Sequence, residues 1–382
     1  MNPAARIAAA IDILDRILAG EPAEPSLLRW SRASRFAGSG DRAAVRDLVF
    51  DALRRRNTLA ALGGDLSGRG LMIGRLRDLG TDPETVFTGS GHAPSPLGEH
   101  ERRMPEASPA IDLPEWVVPR WRNSLGAQAD DIAILMGQRA PVWLRVNPVR
   151  ATVRRAMEVL AAGGIETVED DRLPGALRVI AGERKVARNA AYLGGMVELQ
   201  DLSPQLACAA LPLRPGDRVL DYCAGGGGKS LALIGRQPDL RVEAHDADPA
   251  RMQDLPARAS RAGVSVLRVD APSQRYQLVV ADVPCSGSGT WRRSPDAKWR
   301  LDEAALDNLV ATQAEILDRV SDLVAPGGCL AYMTCSLLAE ENGAQIDAFL
   351  ERDDGYTRMS QCLWTPIDAS DGFFLSVLRR HD

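Results

Sequence analysis

Cysteine is absent from the first 200 residues. All six (Cys208, Cys223, Cys285, Cys329, Cys335 and Cys362) lie beyond that point, and no two are spaced C-x-x-C. Structural zinc sites and thiol redox pairs need that short spacing. Histidine is nearly as scarce: His92, His100, His245 and His381 are scattered and complete no metal set, so no metal is expected. No apolar run approaches the roughly 20 residues of a membrane span. Met1 to Gly20 carries charges throughout, which excludes a secretory signal and any membrane partner as an expectation. The expected location is the cytoplasm, where a cysteine is by default a small buried core residue. An excess of positive charge is also missing. The formal net charge is −5, which argues against coating nucleic acid by bulk charge but leaves room for a local basic groove. Nearly all the positive charge is arginine, a residue suited to bidentate phosphate contacts.

What is present is a chain of 382 residues, 45% hydrophobic and 25% charged. That is a soluble composition and a length for two or three domains. The first ~90 residues read as helical. Ile7, Ile11, Leu14 and Leu18 recur at helical spacing. A later helix carries Val45, Leu48, Val49, Ala52 and Leu53, with Asp41 as its expected N-cap. It ends in Arg54-Arg55-Arg56, where cations favour a helix C-terminus and a phosphate contact is the alternative. Pro94, Pro96, Pro105, Pro109, Pro114 and Pro119 mark a linker. A strand at Val142–Asn147, a helix at Val153–Ala162 and short strands at Ile165–Val168 and Leu177–Ile180 suggest a small α/β subdomain. It is rich in arginine (Arg139, Arg145, Arg150, Arg154, Arg155, Arg184, Arg188, with Lys185), so it is a candidate RNA surface. From ~200 onward strands alternate with helices: Arg218–Tyr222, Arg241–His245, Val264–Val269, Gln277–Ala281, Cys329–Thr334 and Phe373–Leu378. Such alternation implies a mostly parallel sheet covered on both faces, with ligands beyond the C-terminal strand ends. The expected organisation is therefore a helical domain with linker over 1–125, a small α/β subdomain over 126–200 and a Rossmann-like α/β domain over 201–382.

The strand at Val219-Leu220-Asp221 runs into Tyr222-Cys223-Ala224-Gly225-Gly226-Gly227-Gly228-Lys229-Ser230. A glycine loop between strand and helix brings backbone N–H groups close to a ligand. The phosphate-binding pattern G-x-x-x-x-G-K-[ST] fails because its first glycine would fall at Cys223, and G-x-G-x-x-G fails at Ser230. The remaining reading is the nucleoside and methionine portions of S-adenosylmethionine. Asp246, with Asp248 as the alternate, follows the second strand, where a carboxylate accepts from ribose hydroxyls. Asp270 follows the third strand, within reach of an adenine edge. The fourth ends in Asp282-Val283-Pro284-Cys285-Ser286-Gly287-Ser288-Gly289, and the fifth in Met333-Thr334-Cys335-Ser336. Adenine-N6 methyltransferases place an aromatic residue where Cys285 stands; a cysteine suits covalent attack on a pyrimidine. Two cysteines at the ends of sequential strands should face one cleft.

These segments resemble the Sun/Fmu (RsmB-type) family of bacterial ribosomal RNA cytosine-5 methyltransferases, within the NOL/NOP/Sun group. The likeness covers the C-terminal ~180 residues and extends to Gly195-Met196-Val197-Glu198-Leu199-Gln200-Asp201, Arg292-Arg293-Ser294-Pro295-Asp296-Ala297-Lys298-Trp299 and Glu340-Glu341-Asn342. The helical N-terminus resembles the NusB-like RNA-binding domain of the ribosomal members. By this resemblance Cys335 is the nucleophile and Cys285 serves product release. Cys223, Ala224, Gly225, Gly226, Gly227, Gly228 and Lys229 line the cofactor, while Asp246, Asp270 and Asp282 contact it or the base. One departure is notable. The family's loop reads Ala-Pro-Gly-Gly-Lys, whereas this chain has Gly225-Gly226-Gly227-Gly228-Lys229, and losing the proline loosens the unliganded loop. Tyr222 and Val283 are milder changes.

The implied chemistry is thiolate attack on C6 of cytosine, methyl transfer to C5, loss of the C5 proton and elimination. Cys335 then needs a lowered pKa, which Lys229 or a nearby arginine could supply. Asp282 would bond the N3/N4 edge and favour N3 protonation, and the base must be unstacked from RNA. The expectation is an S-adenosylmethionine-dependent enzyme acting as a monomer on RNA, with small-subunit (16S) ribosomal RNA first and transfer RNA as the alternative. Rival readings are a DNA cytosine enzyme with Cys285 as attacker, a small-molecule methyltransferase, or a non-catalytic RNA-binding assembly factor that keeps the fold.

Overall fold

The computed structural model describes residues 1–105 and 110–382; of the prolines named above, Pro109 lies outside the described residues. The chain divides into two compact units, one of residues 1–139 with 291–301, the other of residues 140–290 with 302–382.

The first unit is helical. Helices Pro3–Leu18, Ala23–Ala33, Ser39–Arg54, Arg56–Gly63 and Gly68–Asp78 enclose a core that includes Ile7, Ile13, Leu14, Val45, Val49, Leu53 and Leu71. The helix expected to be capped by Asp41 starts three residues earlier than that cap implies. Gly38 is its N-cap, and Asp41 sits in the first turn, accepting from the Gly38 N–H. After residue 109 the proline-rich run is held to the helices, because Asn57 Nδ2 donates to the carbonyls of Ile111 and Leu113. Segment Trp291–Leu301 packs here too, although the sequence reading places it in the third domain. Arg54 donates to the Arg292 carbonyl at 2.6 Å, the Arg56 guanidinium lies 3.6 Å over the Trp299 ring, and Trp291 stacks on Trp121. Arg55 forks onto Asp78. Arg54 and Arg55 thus spend donors within this unit, whereas Arg56 only stacks on an indole and its Nε finds no partner among the described residues.

The second unit holds two sheets. The smaller comprises β1 (Val142–Val146), β2 (Glu166–Asp170), β3 (Leu173–Ala181) and β4 (Val197–Leu199), in the antiparallel order β2-β3-β1-β4. Helix Val153–Ala162 buries Ala156 and Leu160 in the same core as Leu144, Val146 and Leu177. The larger sheet comprises β5 (Arg218–Asp221), β6 (Arg241–Ala244), β7 (Leu267–Arg268), β8 (Tyr276–Asp282), β9 (Val324–Thr334), β10 (Tyr356–Trp364) and β11 (Phe373–Arg380). Its order is β10-β11-β9-β8-β5-β6-β7, parallel except for β11.

Side-chain alternation explains why this sheet is covered twice. Val219, Leu278, Val280, Ala331 and Met333 enter one core; their neighbours Leu220, Val279, Ala281, Leu330 and Tyr332 enter the other. The connection order reverses at β5, with β6 and β7 on one side and β8 on the other. That switch point opens a crevice above the strand ends. The strand expected over Val264–Val269 shrinks to the two residues of β7, an edge strand paired only with β6. β10 escapes sequence detection because it is an edge strand whose middle is exposed on both faces, so it lacks an apolar alternation.

Candidate functional site

The glycine loop closes the end of β5. Gly225 and Gly227 adopt φ of +50° and +76°, a region that favours glycine. Gly227 caps the helix Gly228–Arg236, and a Cβ there would lie 2.1 Å from Leu255. Asp246, after β6, is buried against the loop. Its carboxylate accepts the Gly225 N–H and the Asp248 N–H, each at 3.0 Å, with Arg251 at 3.3 Å. Asp248 is exposed and caps its own turn by accepting from Ala250, so Asp246 is the better placed of the two. Asp270 stands exposed beyond β7.

Asp221 is fully buried where β5 meets the loop. Its Oδ2 accepts from Ser230 N–H and Oγ–H, while Oδ1 has no partner among the described residues. Burial pushes its pKa up to about 6. One buried carboxylate with an orphaned oxygen and a second lying against the glycine turn, beside a backbone on which a side chain would collide, suit a ligand that brings ammonium and hydroxyl donors. The aminoacyl and ribose groups of S-adenosylmethionine are such donors. Cys223 is half-buried beside this loop, with a thiol pushed up to about 12 by burial and the surrounding aspartates.

On the other side of the switch point the two cysteine loops meet. Cys285 follows β8 and Cys335 follows β9, and their sulfur atoms stand 3.4 Å apart. Parallel pairing sets Asp282 opposite Met333, which brings the two strand ends level. The Gly289 N–H donates to the Cys335 carbonyl at 2.9 Å.

Electrostatics separate the two thiols. The Cys335 pKa lies below its ordinary value, chiefly through its hydrogen bond with Cys285, with Lys229 and Thr290 helping against burial and Asp282. The Cys285 thiol is pushed up by that same hydrogen bond, by burial and by the Cys335 and Glu341 charges. Cys335 is therefore the readier thiolate. Lys229 contributes less than expected, because its ammonium is ion-paired with Asp282. Cys208 and Cys329 lie in the core, and Cys362 is exposed.

The sequence reading underrated Glu341. It is fully buried and joins both loops. Oε1 accepts from Ser286 N–H at 2.7 Å and Gln313 Nε2 at 3.0 Å; Oε2 accepts the hydroxyls of Ser286 and Ser336. Asn342 adds a bond to the Ser336 carbonyl, and Ser288 Oγ accepts the Leu337 N–H. The available signal was chemical: Ser-Gly-Ser and Thr-Cys-Ser bring hydroxyls into a buried cleft, and a buried cleft needs acceptors for them.

A parallel sheet with this strand order, a glycine turn after β5 and a carboxylate after β6 define an S-adenosylmethionine-dependent methyltransferase. The family described as 16S rRNA methyltransferase RsmB/F matches residues 208–378, and the ferredoxin-like domain of RsmF/B-like methyltransferases matches residues 113–186. Ribosomal RNA small subunit methyltransferase B of Xylella fastidiosa (strain Temecula1) is 33% identical over 348 residues, covering 82% of this chain and 80% of that protein. Its Salmonella arizonae counterpart is 35% identical over 248 residues, 63% of this chain and 58% of the relative. A methyltransferase homolog protein from Pyrococcus horikoshii shares the fold, with a TM-score of 0.61 at 22% identity over 69% of this chain and 93% of that one. The chain belongs to the RsmB/F methyltransferase family.

Proposed function

We propose that this enzyme methylates C5 of a cytosine in small-subunit ribosomal RNA, with Cys335 as the nucleophile. The single observation that carries the chemistry is the 3.4 Å separation of the Cys285 and Cys335 sulfur atoms at the ends of adjacent parallel strands. One thiol would serve either a core or a simple attack; two thiols of divided acidity serve attack and release. The ribosomal target rests on the names of the relatives, each a small-subunit ribosomal RNA methyltransferase.

Cys335 attacks C6 as thiolate, and the ring's electron density shifts to C5. S-adenosylmethionine, when bound, supplies the methyl group. Asp282, whose Oδ2 is held by Lys229, presents its carboxylate to the N3/N4 edge. Once the Cys335 charge is taken up in the adduct it no longer holds the Cys285 pKa up. Cys285, as thiolate, then takes the C5 proton, the C–H electron pair forms the C5–C6 double bond, and the Cys335–C6 bond breaks to return Cys335 as thiolate. Gly225 to Lys229 and Asp246 hold the cofactor.

The test is a pair of variants. Cys335→Ala is expected to abolish methyl transfer while S-adenosylmethionine binding persists. Cys285→Ala is expected to accumulate a covalent protein–RNA adduct, seen as a retarded band on a denaturing gel. Full activity in Cys335→Ala, or an adduct that forms through Cys285, would overturn the assignment and favour the DNA-type order of roles. Bisulfite sequencing of ribosomal and transfer RNA, with and without the gene, reads out the target.

A further inference from the structure

The glycine loop of this chain lacks the proline found in similar loops, yet two of its carbonyls are gripped from behind by cations. Arg258, on helix Leu255–Ala262, donates from Nη1 to the Gly226 carbonyl at 2.5 Å. Arg145, on β1, donates to the Gly228 carbonyl at 3.2 Å and to Gln200 Oε1 at 2.9 Å. Arg258 is itself anchored. Its Nη2 lies 3.3 Å from Glu198, a buried carboxylate that also accepts two bonds from Arg261. A Cβ built on Gly226 would stand 2.5 Å from Arg258 Nη1, closer than real contacts allow. Gly226 occupies the position where the family's loop carries proline.

We propose that Arg258 stiffens the glycine loop from outside, replacing the internal stiffness of the missing proline, and so sets the affinity for S-adenosylmethionine. Any side chain on Gly226 would push the guanidinium aside. The physical logic is preorganisation. A proline lowers the loop's freedom by fixing φ, and a charge-assisted hydrogen bond to a carbonyl lowers it by fixing the peptide plane. Either device leaves less ordering to be done when the ligand arrives. The proposal rests on the reading that this loop holds S-adenosylmethionine, and it makes Arg258 a positioning residue, since it acts through the loop.

The experiment is calorimetric titration of S-adenosylmethionine into the full-length protein and its variants, with melting temperatures recorded alongside. Arg258→Ala is expected to weaken binding about ten-fold or more, which converts to about 1.4 kcal/mol. Gly226→Ala alone should weaken it as well, because the new methyl displaces the guanidinium. In the Arg258→Ala background the Gly226→Ala change should cost nothing further, so the two losses do not add. Hydrogen exchange of the Gly225–Lys229 amides should quicken in Arg258→Ala. Arg261→Ala, which also loses a bond to Glu198 but does not reach the loop, should leave the affinity within about two-fold, well under one power of ten. Binding unchanged in Arg258→Ala, additive losses in the double variant, or an equal loss in Arg261→Ala would overturn the proposal. A wild-type protein that binds no S-adenosylmethionine would instead sink the cofactor assignment of the loop.

Discussion

Replacing Glu341 by alanine should damage stability and catalysis together. The carboxylate accepts four hydrogen bonds in a site with no solvent exposure. Two of its donors are hydroxyls with other neighbours: Ser286 Oγ stands 3.4 Å from Ser336 Oγ, which stands 2.9 Å from Ser288 Oγ. These can turn to one another. The Ser286 N–H and one N–H of Gln313 have no such freedom, although Gln313 keeps its bond to the Pro284 carbonyl. Two stranded buried donors cost about 1–3 kcal/mol each. The burial cost of the carboxylate itself disappears and offsets part of this. A net loss of about 2 kcal/mol or more is expected, a sizeable share of a total that is typically about 5–15 kcal/mol. Catalysis should fall further, because Ser286 adjoins Cys285 and Ser336 adjoins Cys335. A displacement of about 1 Å between reacting groups costs on the order of 100-fold. Glu341→Gln should sit between wild type and alanine, since its amide oxygen keeps two acceptor bonds and the hydroxyls can reverse. Urea denaturation reads the first effect and single-turnover methyl transfer the second. An alanine variant with wild-type stability and rate would refute the view that this carboxylate holds the two loops in register.

The acidity of Cys335 depends first on its bond with Cys285, so in Cys285→Ala the pH at which Cys335 becomes alkylated by iodoacetamide should move upward. Peptide mapping by mass spectrometry follows that residue alone, and an unmoved inflection would put the cause elsewhere. Asp221 binds its proton more tightly folded than unfolded, with a folded pKa of about 6. It therefore costs the native state stability as pH rises from the ordinary carboxylate range through about 6, and costs nothing below that range. Asp221→Asn should be relatively more stable at pH 7.5 than at pH 3.5; thermal melts at the two values that show no such difference would contradict this. Gly289→Ala places a methyl about 2.4 Å from the Gly372 carbonyl and should destabilise by about 1–3 kcal/mol through forced backbone shifts, measured by chemical denaturation.

Much of the catalytic sheet was legible in the sequence because its strands are short apolar runs that end in chemistry-bearing residues: the glycines after β5, Asp246 after β6, Asp282 and Cys285 after β8, Cys335 after β9. Local pattern sufficed to place these residues at strand ends. What local pattern does not carry is contact between residues far apart in the chain. Arg258 meets Gly226 across 32 positions and Arg145 meets Gly228 across 83. In the sequence Arg145 reads as part of a candidate RNA surface, and Arg258 carries no signal of its own. Two residues of the basic stretch in the small subdomain likewise make long-range contacts that no local pattern shows. Arg145 is turned inward, and Arg150 donates to the carbonyls of Ser260 and Arg261. Edge strand β10 was lost because both its faces meet solvent, which removes the alternation that marks a strand.

The eleven residues Trp291–Leu301 leave the second unit immediately after Thr290 and rejoin it at Asp302. Dissection of the gene at residue 140 would consequently not yield a self-sufficient fragment. It would strand a loop bearing Trp291, Lys298 and Trp299, whose neighbours Trp121, Leu53, Arg54 and Asp112 had been deleted. Two indole rings and a desolvated ammonium would then face water a few residues downstream of Cys285. Such a fragment should aggregate.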